Sequence, residues 1–286
     1  MIKQLREMTG AGMVDCKKAL DEAGNDLSKA VEILRKKGIS KAAKRTDREA
    51  KEGVIKLSLN DDKTVAYILE LNCETDFVSR NEKFQALADD ILAVVKANQP
   101  ANLEALLALD MNGASVADQL ASFSGTIGEK LEIKRFDILK GASTAAYSHL
   151  GGKLGVLVAL DAAGQEGLAA ELAMQVAAAN PKYIYSEQVD TAEMDKEKEI
   201  YRAQLLKEGK PENMVDKIVE GKMGKYFAEV CLIEQEYIKD EKKKVKDILG
   251  GAKVIGFIRY SLWACLLVPR YNFRHGKNLI ILLLGI

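Results

Sequence analysis

The sequence predicts an α+β protein: a small N-terminal three-helix unit, a core of two duplicated strand-and-helix subdomains, and an antiparallel helical hairpin inserted into the second. Three observations carry this. Apolar residues recur at helical spacing through residues 1–40. Runs of strand length begin at Val54 and at Gly155. Between residues 191 and 227 two charged amphipathic stretches flank a Glu208-Gly209-Lys210-Pro211 turn.

In residues 1–40, Ile2, Leu5 and Met8 make a first stripe, broken by Thr9-Gly10-Ala11-Gly12. Met13, Cys16, Ala19 and Leu20 make a second, closed by Gly24-Asn25. Asp26 is placed to cap a third helix with Leu27, Ala30, Val31 and Leu34 inward, and Gly38 reads as its stop signal. So short a unit has a minimal core and needs a neighbour. Residues 41–52 are basic, Ala-rich and aperiodic, a linker. Residues 53–140 form the first core part. It opens with a hairpin of Val54–Leu59 and Val65–Leu71 about the turn Asn60-Asp61-Asp62-Lys63. A helix from Phe84 through Val95 follows, stopped at Asn98-Gln99-Pro100. A second helix runs from about Ser115 to Lys130, before a strand at Leu131–Leu139.

Residues 141–190 begin the second core part, with a strand at Gly155–Leu160 and a helix at Gly167–Ala179. The hairpin of residues 191–227 has Met194, Ile200, Tyr201, Leu205 and Leu206 on one arm. The other carries Met214, Val215, Ile218, Val219, Met223 and Phe227. Residues 228–262 complete the second part, with strand-like runs at Phe227–Lys239 and Val254–Leu262. The two core parts share an order of strand, connection, Ala-rich helix and an Asn/Pro stop, a weak internal repeat. Asn72 to Pro100 spans 28 positions and Asp161 to Pro181 spans 20, so about eight extra residues fall near Cys73–Arg80 in the first copy. A loop absent from its twin is not needed for the fold, which points to function there.

Composition excludes several classes. Forty-two Lys+Arg balance 42 Asp+Glu, which argues against nucleic-acid binding by bulk electrostatics. The basic run Arg35–Lys51 lacks interleaved aromatics and reads as a solvated helix end and linker. Two histidines, His149 and His275, nearly exclude a His-based metal site, and Cys16, Cys73, Cys231 and Cys265 show no CxxC spacing, as expected of reduced thiols. No phosphate loop, GxGxxG, HExxH or GxSxG is present. No apolar run reaches the roughly 18–20 residues of a membrane span, and Met1–Gly10 has no secretory apolar core. The expectation is a non-enzymatic protein with no cofactor, no metal, no membrane and no direct nucleic-acid partner.

Phe77 is the sharpest candidate. It lies in CETDFVSRNE, where Ser79 and Glu82 have capping-box spacing, so a helix can start at Ser79 with Thr75, Asp76, Phe77 and Val78 in the loop before it. Phe77 either tucks into its own core or stands at the loop tip as an interface anchor, with Val78 anchoring the loop; the residues alone leave both open. His149, before Leu150-Gly151-Gly152, is a turn histidine or a partner contact, with no recognisable nucleophile beside it. Cys16 lies on an apolar stripe and reads as a buried thiol. Met13 and Val14 either form an exposed apolar edge or pack within the helical unit.

Several segments together resemble one family. LREMTGAGMVDCKKALDEAGNDLSKAVEILRKKG is similar to the N-terminal ubiquitin-associated-like domain of translation elongation factor Ts. NCETDFVSRNEKF is similar to its most distinctive internal motif. YSHLGGKLGVLV, AAANPKYI and KPENMVDKIVEGKMGKYFAEVCLIEQEYIKD follow in the family's order, so the resemblance covers about residues 1–262. It implies a factor that binds the GTPase elongation factor Tu and promotes GDP release in the cytoplasm or an organelle matrix. A non-catalytic adaptor is the alternative. Matched to the family's motifs, Thr75, Asp76, Phe77 and Val78 fall on its exchange loop. Arg6, Met13, Val14 and His149 fall on further partner contacts, Val14 standing where the family often has Met. Residues 191–227 match the protruding coiled coil. Residues 263–286, from Trp263 to LIILLLGI, depart from the family pattern. The expectation is an atypical tail, from a frame change or altered exon, in place of the family's C-terminal contact helix. An intact mass from the native source that includes this tail would refute that origin.

Overall fold

The computed structural model describes residues 1–262 except Gly10, Lys44 and Thr46, with the backbone alone for residues 39–43. The N-terminal stripes close on one another: α1 (Ile2–Thr9), α2 (Met13–Glu22) and α3 (Leu27–Ala43) bury Leu5, Cys16, Ala19, Leu20 and Ala30 together. Asp26 accepts the Lys29 N–H at 3.0 Å, the cap expected of it. Met8 is a correction. Six residues after Ile2 it has turned well off the shared face, and it is exposed. Gly38 is another. The helix runs past it to Ala43, because Gly38 is used for close approach to Gly125 rather than for a reversal.

Next come β1 (Glu52–Leu59) and β2 (Val65–Cys73), the expected antiparallel hairpin, with Leu59 opposite Ala66. The Asn60 carboxamide oxygen closes the turn, accepting the Thr64 and Val65 N–H groups at 2.9 and 2.8 Å. The chain continues through α4 (Asp76–Ser79), α5 (Glu82–Asn98), α6 (Leu103–Ala108), β3 (Asp110–Met111), β4 (Ala114–Ser115), α7 (Val116–Ile127) and β5 (Glu132–Lys140). The larger strands form a sheet in the order β1-β2-β5. β2 is buried almost throughout because both its faces are covered. Tyr67, Leu69 and Leu71 meet Phe84, Leu87 and Ile91 of α5, while Ala66 and Ile68 face the other way.

What they face is a second sheet. β6 (Ser143–His149), β7 (Leu154–Leu160), α8 (Glu166–Ala179), α9 (Thr191–Lys207), α10 (Glu212–Val230), β8 (Glu236–Tyr237), β9 (Asp240–Lys244), α11 (Val245–Ile248) and β10 (Val254–Ser261) follow in turn, with sheet order β10-β7-β6. Val156, Val158 and Leu160 pack on Leu172, Ala173 and Val176 of α8. Leu157 and Tyr260 point the other way, onto Ile55, Ala66 and Ile68. The layers therefore run helix, sheet, sheet, helix.

α5 and α8 end alike. Gln99 (φ 45°) and Asn180 (φ 46°) are left-handed C-caps whose N–H groups reach the Val95 and Val176 carbonyls, each followed by proline. The eight-residue difference between the two strand-to-helix stretches resolves less simply than expected. The connection between strand and helix spans residues 74–81 in one and 161–165 in the other, three residues longer. α5 has 17 residues against 14, and β2 runs two residues past Leu71.

α9 and α10 are the two arms of the charged region. The strand-like run expected at Phe227–Lys239 is helical as far as Val230, because Val219, Met223, Tyr226 and Val230 keep the three/four spacing and bury with Leu205 and Val189. Only Glu236–Tyr237 of that run is strand. The expectations for residues 263–286 lie outside the described residues.

Candidate functional site

Cys73 ends β2, and eight residues must carry the chain from the sheet into α5. The expected start at Ser79 is not what forms. Thr75 is the N-cap of α4, its Oγ1 accepting the Val78 N–H at 3.4 Å, and Asn81 caps α5 by accepting the Lys83 N–H at 2.9 Å. Ser79 instead donates its hydroxyl to the Asp76 carbonyl at 2.9 Å. The helical turn forms earlier because Thr75 is held from outside. Its hydroxyl donates to Glu129 Oε1 at 2.6 Å, and the Glu74 and Thr75 N–H groups both donate to Glu129 Oε2 at 3.1 Å.

Asp76 and Phe77 therefore open a one-turn helix. Phe77 is 84% exposed, which rules out its tucking into its own core, while Val78 packs against that core. Asp76 pairs with Arg80 at 3.1 Å, a solvent-facing pair of little energetic weight. Glu74 receives the Lys130 N–H at 2.6 Å and Arg48 at 3.1 Å. Burial raises the Glu74 carboxyl, but those donors outweigh it and hold it below the ordinary carboxylate range. Cys73 lies beneath, fully buried. Burial, with the nearby Glu129 charge, pushes its thiol up to about 12, far from a thiolate nucleophile.

His149 is the last residue of β6 and is exposed, its ring stacked on Tyr147 with centroids 5.8 Å apart and Nδ1 3.1 Å from the Tyr147 hydroxyl. The turn after it carries Leu150, 56% exposed, at φ 52°. Lys153 closes this turn, its N–H donating to the His149 carbonyl at 3.2 Å. Its Nζ reaches Glu52 Oε2 at 2.6 Å, the Gly53 carbonyl at 3.3 Å and Ser79 Oγ at 3.5 Å. Lys153 thus joins the two turns, the His149 turn through its backbone N–H and the base of the Phe77 turn through its ammonium. Arg6, Met13 and Val14 are exposed on the separate helical unit, Met13 at 62% and Val14 at 67%. That unit joins the core through α3 on α7.

Among the described residues no group of three or more His, Cys, Asp or Glu could hold a metal ion, and no helix is long and apolar enough to cross a membrane. A family model described as Elongation factor TS matches residues 74–263, 190 of the chain's 286 residues. The chain belongs to the elongation factor Ts family.

For an elongation factor Ts family member, a role in translation elongation follows from that membership. The matched region begins at Glu74, the root of the exposed turn. Sequence reasoning singled out Thr75, Asp76, Phe77, Val78 and His149 but passed over Glu129, which bonds Glu74 and Thr75, and Lys153, which bonds Ser79 and the His149 carbonyl. Glu129 follows a glycine in an otherwise ordinary GEK stretch, and no spacing rule connects it to Thr75, 54 residues earlier. Lys153 carried no signal of its own: next to a Gly-Gly turn at a strand end, a lysine can simply keep its head in water.

Proposed function

We propose that this elongation factor Ts family member binds the GTPase elongation factor Tu in its GDP-bound form and accelerates GDP release, so that GTP can load. Phe77 is the wedge and Asp76 the carboxylate beside it, brought to the region where Mg²⁺ and the phosphates lie in the partner. The observation that carries the reading is the Phe77 ring, 84% exposed at the start of a helical turn that Thr75, Val78 and Glu129 hold in place. An aromatic that is already ordered loses little freedom on binding and gains its full burial only when the partner opens.

No covalent step is required. A factor that binds the nucleotide-free partner better than the GDP form must, by reciprocity, weaken GDP by the same factor. The bound Mg²⁺ is the largest local charge at the phosphates, so disturbing its surroundings is an efficient lever. Arg6, Met13, Val14 and His149 supply further contacts and keep the wedge registered. In this reading the three N-terminal helices are the ubiquitin-associated-like domain, the two sheet-and-helix parts are a duplicated pair, and α9–α10 is the family's coiled-coil module. The site of action is the cytoplasm or an organelle matrix.

The test is release of a fluorescent GDP from elongation factor Tu. The wild-type protein accelerates release, and Phe77→Ala loses at least about tenfold of that acceleration, as befits a central aromatic anchor. Equal acceleration by both proteins would remove Phe77 from the mechanism, and none from the wild type would leave an adaptor role.

A further inference from the structure

We propose that Glu129 is the positioning residue of the Asp76–Phe77 turn. The proposal rests on the exchange reading for what the turn does, and on hydrogen bonds alone for how it is held. One carboxylate takes three donors from two consecutive residues: the Glu74 N–H, the Thr75 N–H and the Thr75 hydroxyl. Neither N–H has a partner in the sheet, since β2 ends at Cys73, and neither has one in the helix, since the first N–H groups of any helix lack an intrahelical acceptor. The bonds are charge-assisted, the stronger class.

The clasp is reciprocal. While Glu129 holds the Glu74 N–H, the Glu74 carboxylate takes the Lys130 N–H at 2.6 Å and is steadied by Arg48. Glu129 is itself placed by the end of α7. Gly128 is the left-handed C-cap (φ 89°), its N–H on the Ser124 carbonyl at 2.9 Å, and the Ser124 hydroxyl donates to the Glu129 carbonyl at 2.5 Å. A half-buried side chain at the end of a packed helix therefore dictates where the exposed turn begins. Thr75 is fixed as N-cap, and Asp76 and Phe77 take the first two helical positions before any partner arrives. Without Glu129 these three residues would have to be ordered during binding, which would lower the rate at saturation more than the encounter.

The experiment uses the full chain with Glu129→Gln and Thr75→Val, and Thr75→Ser as the conservative control. Gln keeps the shape but removes the charge: with its carbonyl oxygen on the two N–H groups, its NH2 meets the Thr75 hydroxyl, which must then accept instead of donate, and the bonds lose their charge assistance. Val removes only the hydroxyl. Two quantities are read: amide hydrogen exchange of residues 74–80 in the free protein, and GDP release from elongation factor Tu against factor concentration. Exchange at these amides should quicken by about tenfold or more in Glu129→Gln, with the α5 and β2 amides unchanged. The saturating release rate should fall by about the same factor, with half-saturation shifted less than about threefold. Thr75→Val should fall between Glu129→Gln and wild type, and Thr75→Ser should remain within about twofold of wild type. Unchanged protection in Glu129→Gln overturns the clasp, whatever the release rate. Lost protection with wild-type release overturns its part in exchange. A wild-type protein that leaves GDP release unaccelerated sinks the exchange reading instead, and the hydrogen-exchange result still judges the clasp.

Discussion

Gly38 of α3 and Gly125 of α7 meet backbone to backbone: a Cβ built on Gly125 would lie 2.2 Å from the Gly38 Cα and 2.6 Å from its carbonyl oxygen. Nothing at that distance can give except a whole helix. The pair sets how the N-terminal unit stands on the core, and with it where Arg6, Met13 and Val14 sit.

Gly125→Ala should therefore force α3 off α7. Overpacking of this kind costs about 1–3 kcal/mol or more, and we expect a Tm lowered by several degrees with faster proteolysis in residues 41–52. Gly38→Ala, whose Cβ would come no nearer than 3.3 Å to the Ser122 carbonyl oxygen, should be much milder. Thermal melts of the two variants side by side decide the matter, and indistinguishable melting would show that the helices separate freely.

Phe77 and its neighbour Val78 should behave oppositely. The Phe77 ring touches little of its own protein, so Phe77→Ala should change stability by less than about 0.5 kcal/mol while losing GDP release. Val78 packs on the core, so Val78→Ala should lower stability by about 1 kcal/mol. Denaturant unfolding reads both; a large destabilisation by Phe77→Ala would mean that the ring is structural.

Cys16, Cys73 and Cys231 are all buried, and burial pushes Cys73 up to about 12 and Cys231 up to about 11. At pH 8 the native protein should leave these three unmodified by iodoacetamide, while denaturant exposes them. Peptide mapping after brief labelling checks this. Rapid native alkylation of Cys73 would reopen a thiol chemistry for the loop.

The base of the helical hairpin should be acid-sensitive. Glu193 accepts the Tyr226 hydroxyl at 2.6 Å, the Tyr183 hydroxyl at 2.7 Å and Lys182 at 3.2 Å, which together lower its carboxyl from the usual 4.5 to about 2. A depressed folded pKa means a stabilisation that is complete above about 4.5 and fades as pH falls toward about 2. Glu193→Gln should be less stable at neutral pH and should lose less than the wild type across that window. Melts from pH 6 to pH 2.5 would contradict this if the two curves ran parallel.

Much of the fold was legible because local rules carry it. The stripes of Leu5, Cys16 and Ala30, the β1–β2 turn at Asn60 and the proline stops after Gln99 and Asn180 each involve residues within a few positions of one another. Met8 and Gly38 misled for the same reason. Read locally, one extends a stripe and the other ends a helix. Their roles depend on where the stripe has rotated after two turns and on what α7 presents. The candidate site divides similarly. CETDFVSRNE marked itself by being longer than the corresponding connection, but whether Phe77 faced inward could not be read from its neighbours, and Glu129, which bonds the residues just before it, has no sequence signature.

Sequence alone determined the class of elements, their order, the stretch in which function should be sought and the family resemblance, because apolar periodicity, caps and motif strings are written in neighbouring residues. Tertiary structure alone decided that Thr75 starts the turn, that Phe77 stands in solvent, that one lysine serves both the His149 turn and the Phe77 turn, and that two glycines hold the helical unit against the core. The contacts behind them join residues dozens of positions apart, and a hydrogen bond or a steric contact depends on distance in space, which the chain acquires only when its helices and sheets pack.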